Sequence, residues 1–165
     1  MRHAGATVSL YQLVAFGETQ FLEFADRALG YLLRLRVDRG DASSFADPGT
    51  RSRLGVAGFG VIALLMRRGL TGDDGYDELA RRLGRFIVRQ QEPTGALLAY
   101  WDPVAGAPVP DQYGPFATGE ALWALVEWTA RAKQQTTSDT VGTRQASSLP
   151  PHPAISRSAL AWLLA

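Results

Sequence analysis

The sequence predicts an all-α fold of antiparallel helical hairpins, and three observations predict it. The first is a repeat: residues 24–34 read Phe-Ala-Asp-Arg-Ala-Leu-Gly-Tyr-Leu-Leu-Arg, and 55 positions on residues 79–89 read Leu-Ala-Arg-Arg-Leu-Gly-Arg-Phe-Ile-Val-Arg. Apolar residues match at 24/79, 28/83, 31/86, 32/87 and 33/88, and Ala25/Ala80, Arg27/Arg82, Arg34/Arg89, Gly40/Gly95, Asp47/Asp102 and Pro48/Pro103 are identical. The second is a further block, Ala57 to Leu64 answered by Thr118 to Leu125, at an offset of 61 because the second copy has a loop six residues longer. The third is that one-sided apolar stripes alternate with segments apolar nearly all round. One supersecondary unit used twice satisfies all three.

The elements follow in order. Residues 1–18 read as a lead-in. A helix is expected from Thr19 to Arg36, where Phe21, Phe24, Ala25, Ala28, Leu29, Tyr31, Leu32 and Leu35 recur at three and four; Gly40 and the Asp-Ala-Ser-Ser after it end it. The second, Leu54 to Arg68, is apolar on most sides through Val61, Ile62, Leu64, Leu65 and the packing residue Met66, and stops at Gly69. Asp73 or Asp74 would cap the third, Gly75 to Gln91. Its Leu79, Leu83, Phe86, Ile87 and Gln90 form one stripe, with Glu78, Arg81, Arg82, Arg85 and Arg89 facing water. Pro93 and Gly95 end it, and a 20-residue loop leads to a fourth helix opening at Thr118, with Ala121, Leu122, Trp123, Leu125, Val126 and Trp128 around its axis. Outer helices thus alternate with enclosed ones. Helices near 54–68 and 118–130 are expected inside, and those near 19–36 and 75–91 outside. Residues 133–165 are polar and Pro-rich, and read as a disordered or irregular tail ending in the short apolar run from Ala159. The repeat domain is therefore 19–132.

Composition excludes several functions. Arg supplies most of the 17 basic residues, and 16 acidic ones balance them, so no charge excess points to nucleic acid. Without cysteine there is no thiolate nucleophile, disulfide framework or thiolate-ligated zinc, and two histidines do not make a multi-histidine metal site. No metal or cofactor is expected. No 18-residue apolar stretch is evident, so no membrane span is expected and a cytoplasmic location is the default.

The segment Leu83-Gly-Arg-Phe-Ile-Val-Arg-Gln-Gln-Glu-Pro-Thr-Gly-Ala, with Phe116-Ala-Thr-Gly-Glu-Ala-Leu-Trp-Ala-Leu, resembles the repeat unit of the α/α-toroid proteins, especially the six-hairpin glycosidase-like group, over residues 15–130. Residues 90–101 are faintly similar to the Gln-and-Trp repeats of triterpene cyclases, but the Asp-rich motif of those enzymes is missing. The resemblance implies an incomplete α/α-toroid, because a complete ring needs about five to seven hairpins. It also implies carboxylates at the mouth of a central cavity acting as acid and base on saccharides.

Three carboxylates are candidates for such chemistry. Glu120 stands where the first copy has Phe59, so the repeat itself does not demand it; at a helix start its pKa should fall, which suits a base or a stabilising anion. Its bland role is to stabilise the helix start. Asp102 follows Tyr100 and Trp101, aromatics suited to sugar stacking, although its counterpart Asp47 favours a turn role. Asp111 lies in the longer loop beside Gln112 and Tyr113, where insertions in repeat arrays often carry binding. Tyr100, Trp101, Gln112, Tyr113 and Trp123 are the candidate substrate contacts.

The reading placed first is a helical-repeat protein without a demonstrable catalytic site, truncated relative to its family. The alternative is a carbohydrate-active, glycoside hydrolase-like enzyme, which requires two carboxyl groups roughly 5–9 Å apart and predicts Trp101, Asp102, Asp111 and Glu120 converging on one concavity. An oligosaccharide, and self-association through exposed apolar helix faces, are the expected partners; nucleic acid and membrane are not.

Overall fold

The computed structural model describes residues 2–140, with side chains through Arg131. Helix α1 (Arg2–Ala15) and a 3-10 turn (Thr19–Phe21) precede α2 (Leu22–Arg34); strands β1 (Arg36–Arg39), β2 (Ala42–Phe45) and β3 (Ser52–Arg53) lead into α3 (Leu54–Thr71). Then come α4 (Asp77–Arg89), β4 (Tyr100–Asp102), β5 (Ala107–Pro108) and α5 (Ala117–Thr140).

The chain is not all-α. It is a mixed α/β structure of five helices with two small antiparallel sheets among the described residues, so the expectation of helical hairpins joined by plain loops is corrected. After α2 the chain turns at Gly40 and pairs with itself, Arg36 against Phe45 through Arg39 against Ala42. After α4 it turns at Gly95 and forms a shorter bridge, Gln91 with Leu97. Both glycines have positive φ, 58° and 90°, a conformation that costs an L side chain about 1–2 kcal/mol. The second sheet ties the copies together: β3 pairs with β4 and β4 with β5. The strands are short and lack period-two alternation, so periodicity does not announce them. All four residues of β2, Ala42 to Phe45, are buried.

The serines of that strand are held by an arginine network. Arg82 of α4 donates to Ser43 Oγ at 2.9 Å and to the carbonyl of Gly40 at 2.7 Å, while Ser44 and Ser52 share a hydrogen bond of 2.8 Å. Arg85 and Arg89 pair with Asp41. The arginine face of α4, expected to face water, therefore clasps the β1–β2 hairpin.

The repeat itself holds at the level of helices, since α2 and α4 begin and end 55 residues apart. Other boundaries differ. Residues 2–15, read as a lead-in, form α1, which packs on α2 and α3. Tyr11 donates to Asp26 at 2.6 Å, and Arg67 reaches the same carboxylate, joining these three helices. Helix α3 runs past Gly69 to end at left-handed Gly72. The start of α4 has no side-chain cap; Asp73 instead accepts from Gly75 N and pairs with Arg67. Helix α5 extends to Thr140, and the rest of the expected irregular tail lies outside the described residues.

Helix α3 is the centre of the fold, packed by α1, α4 and α5. It has 18 residues of mean hydropathy 1.4, enough by length and composition to cross a membrane, which corrects the expectation that no such stretch exists. Its burial accounts for its composition: Leu54 to Gly58 and Gly60 to Leu65 are buried inside the fold. A mostly buried apolar helix of this kind is consistent with a soluble protein. The expectation that α5 is likewise enclosed fails. Its Ala117, Ala121 and Ala124 are buried against the core, but Leu122, Trp123 and Val126 are exposed.

Candidate functional site

The N-terminal ends of α1 and α3, the C-terminal end of α2 and the strands beside them surround an open cavity of about 580 Å³. That is the size range of small-ligand sites. His3 comes from α1, Tyr31 and Leu35 from the end of α2, Asp47, Thr50 and Arg51 from the loop after β2, Arg53 from β3, Tyr100 from β4, and Gln112 from the long loop. Local interactions place His3, Tyr31 and Thr50. His3 Nε2 donates to the carbonyl of Ala28 at 2.9 Å, and its ring lies 4.4 Å from that of Tyr31. The hydroxyl and amide of Thr50 both donate to the carbonyl of Asp47, closing a turn.

Charge in the cavity is uneven. Arg51 pairs with Asp102 at 3.4 Å. The guanidinium of Arg53 lies 5.9 Å from the centre of the Tyr100 ring and has no carboxylate within salt-bridge range among the described residues. Among the described residues, Asp47 is the single carboxylate on the wall.

Of the residues singled out from sequence, Tyr100 and Gln112 line this cavity. The others do not meet there. Tyr100 and Trp101 are neighbours on a strand and so face opposite ways; the Trp101 ring packs against Phe86 at 6.2 Å and under Arg39. Asp102 accepts from the amides of Val104 and Ala105, and these bonds with Arg51 beside it hold its carboxyl below the usual range. It fixes the β4–β5 turn, as its match with Asp47 suggested. Asp111 is exposed in a turn with φ of 56°. Tyr113 donates to Glu92 at 2.8 Å, and Trp123 donates to Glu127 on the outer face of α5.

Glu120 has a different environment from the one its helix position implied. Its carboxylate fills the space a side chain at Gly55 would occupy, wedged between α5 and α3. Oε2 is buried and makes no hydrogen bond. Burial pushes its pKa up, the opposite of the direction its helix-start position implied.

The cavity residues missed from sequence are His3, Tyr31, Thr50, Arg51 and Arg53. Comparing the two copies carried a signal: at the offset of 61, Arg51 corresponds to Gln112 and Arg53 to Gly114, so the first copy places two cations where the second has none. Comparison with family models, curated proteins and solved structures finds no match to this chain.

Proposed function

We propose that this chain is a helical-repeat binding module whose cavity receives a small acidic saccharide. The observation that carries the reading is the Arg53 guanidinium, free of a carboxylate partner among the described residues and set over Tyr100 at the cavity wall. An arginine fork matches a carboxylate in geometry and charge. Tyr31 and Tyr100 offer ring faces to a sugar, and Asp47, Thr50 and Gln112 offer partners for hydroxyl groups. Binding is favoured over hydrolysis because the described residues of the wall include one carboxylate, where the two-carboxylate mechanism needs a pair. Glu120, Asp102 and Asp111 are not on it among the described residues. The likeness of the repeat to α/α-toroid units, and a cytoplasmic location, belong to the same proposal.

The test is calorimetric titration with trigalacturonate and with neutral maltotriose. The acidic trisaccharide should bind, the neutral one should bind at least tenfold more weakly, and Arg53→Gln should lose about 1.5–3 kcal/mol of the acidic affinity with an unchanged melting temperature. Equal binding of both sugars, or of neither, refutes the reading.

A further inference from the structure

The cavity wall carries a second guanidinium, and the strand geometry holds it apart from the first. Residues alternate in direction along a strand. Ser52 turns inward, where it is buried and shares a hydrogen bond of 2.8 Å with Ser44. Arg51 and Arg53 on either side of it turn the other way, and both line the cavity. The antiparallel register then sets each beside its own cross-strand neighbour: Arg53 stands opposite Tyr100, and two residues back Arg51 meets Asp102. Two guanidinium groups therefore share one wall, with Cα atoms about 7 Å apart on the strand spacing, and are anchored at separate points.

These anchors leave both cations available. Arg53 rests on a ring and has no carboxylate within salt-bridge range among the described residues. Arg51 touches Asp102 Oδ2 through Nε at 3.4 Å with 52% of its side chain exposed, a loose contact for a charge pair. The β4–β5 turn does not depend on that contact, because Asp102 Oδ1 accepts from the amides of Val104 and Ala105 at 2.8 and 3.2 Å. Arg51 can turn its outer N–H groups to a ligand while the turn stays closed. Against the two arginines, the described residues of the wall set one carboxylate, Asp47.

We propose that the cavity takes a saccharide with two acidic groups on neighbouring rings, a di-uronide, with one carboxylate on Arg53 and the other on Arg51. The inference rests on the acidic-saccharide reading above and extends it from the presence of an acid to the number of acids. Each guanidinium matches a carboxylate fork to fork, and two forks held over different neighbours are best satisfied by two carboxylates. Arg51 is then the residue that selects a di-acid over a mono-acid.

Calorimetric titration with digalacturonate, which has two acids, and with galacturonosyl-rhamnose, which has one, compares disaccharides of equal length. Digalacturonate should bind at least about tenfold more tightly, the worth of one further hydrogen bond between charged groups. Arg51→Gln should lose that factor for digalacturonate and leave the one-acid sugar within about twofold, so that selectivity disappears. Arg53→Gln should weaken both sugars. Equal affinities of the unaltered protein for the two sugars overturn the proposal, as does an Arg51→Gln variant that weakens both alike or neither. In each of those cases continued sensitivity to Arg53→Gln leaves the acidic-saccharide reading standing. Failure of both sugars to bind overturns the two together.

Discussion

Gly58→Ala tests the packing on which the fold turns. The added methyl would sit 2.8 and 2.9 Å from the Glu120 carbonyl oxygen and carbon and 3.1 Å from Ala121 N. All three are backbone atoms of α5, so no side chain can swing aside, and the helices must part. Overpacking of this kind costs about 1–3 kcal/mol. Against it stands the gain of up to about 1 kcal/mol when Gly becomes Ala inside a helix. Gly30→Ala isolates that gain, because Gly30 is inside α2 and a Cβ there meets nothing within 4 Å. In urea unfolding, Gly30→Ala should be stabilised by up to about 1 kcal/mol. Gly58→Ala should lie about 1–3 kcal/mol below it, roughly 2–12 °C in melting temperature for a chain of this length. If Gly58→Ala is as stable as Gly30→Ala, the close crossing of α3 and α5 is wrong.

Three further outcomes are expected. Between its ordinary value of 4.5 and its raised folded value, Glu120 stays protonated in the folded chain but ionises in the unfolded one; stability from this group therefore falls as pH rises through that window. Urea midpoints measured from pH 4 to 8 should fall less for Glu120→Gln, and identical pH slopes would exclude a buried, desolvated carboxyl. Arg82→Ala removes the donors to Ser43 and Gly40 and should cost about 1–3 kcal/mol; Arg82→Lys should restore little of it, because an ammonium cannot span both acceptors. Gly40→Ala meets no atom within 4 Å but keeps a φ of 58°, so it should destabilise by about 1–2 kcal/mol through backbone conformation alone. A neutral result in equilibrium unfolding would show the hairpin turn to be adjustable.

The two-fold repeat, the amphipathic outer helices and the apolar centre are legible in the residues alone. Helical periodicity is a local property, and a 13-residue helix with one apolar stripe, such as α4, declares itself without its neighbours. The same holds for the glycines that mark the turns. Tertiary structure decided the rest, because it depends on what lies opposite. Ser43 and Ser44 are accommodated as buried strand residues because Arg82 and Asp38 meet the hydroxyl of the first, and Ser52 and Arg39 that of the second. Helix α1 is needed for the cavity, yet its pattern is weak and its place comes from packing on α2 and α3. Glu120 ends up desolvated because Gly55 opens a space across the helix pair, which no feature of its own helix reveals. Arg53 and Tyr100 are distant in sequence and meet through the pairing of β3 with β4. A site assembled across strands from separate copies is a product of long-range register, and local sequence patterns carry no record of it.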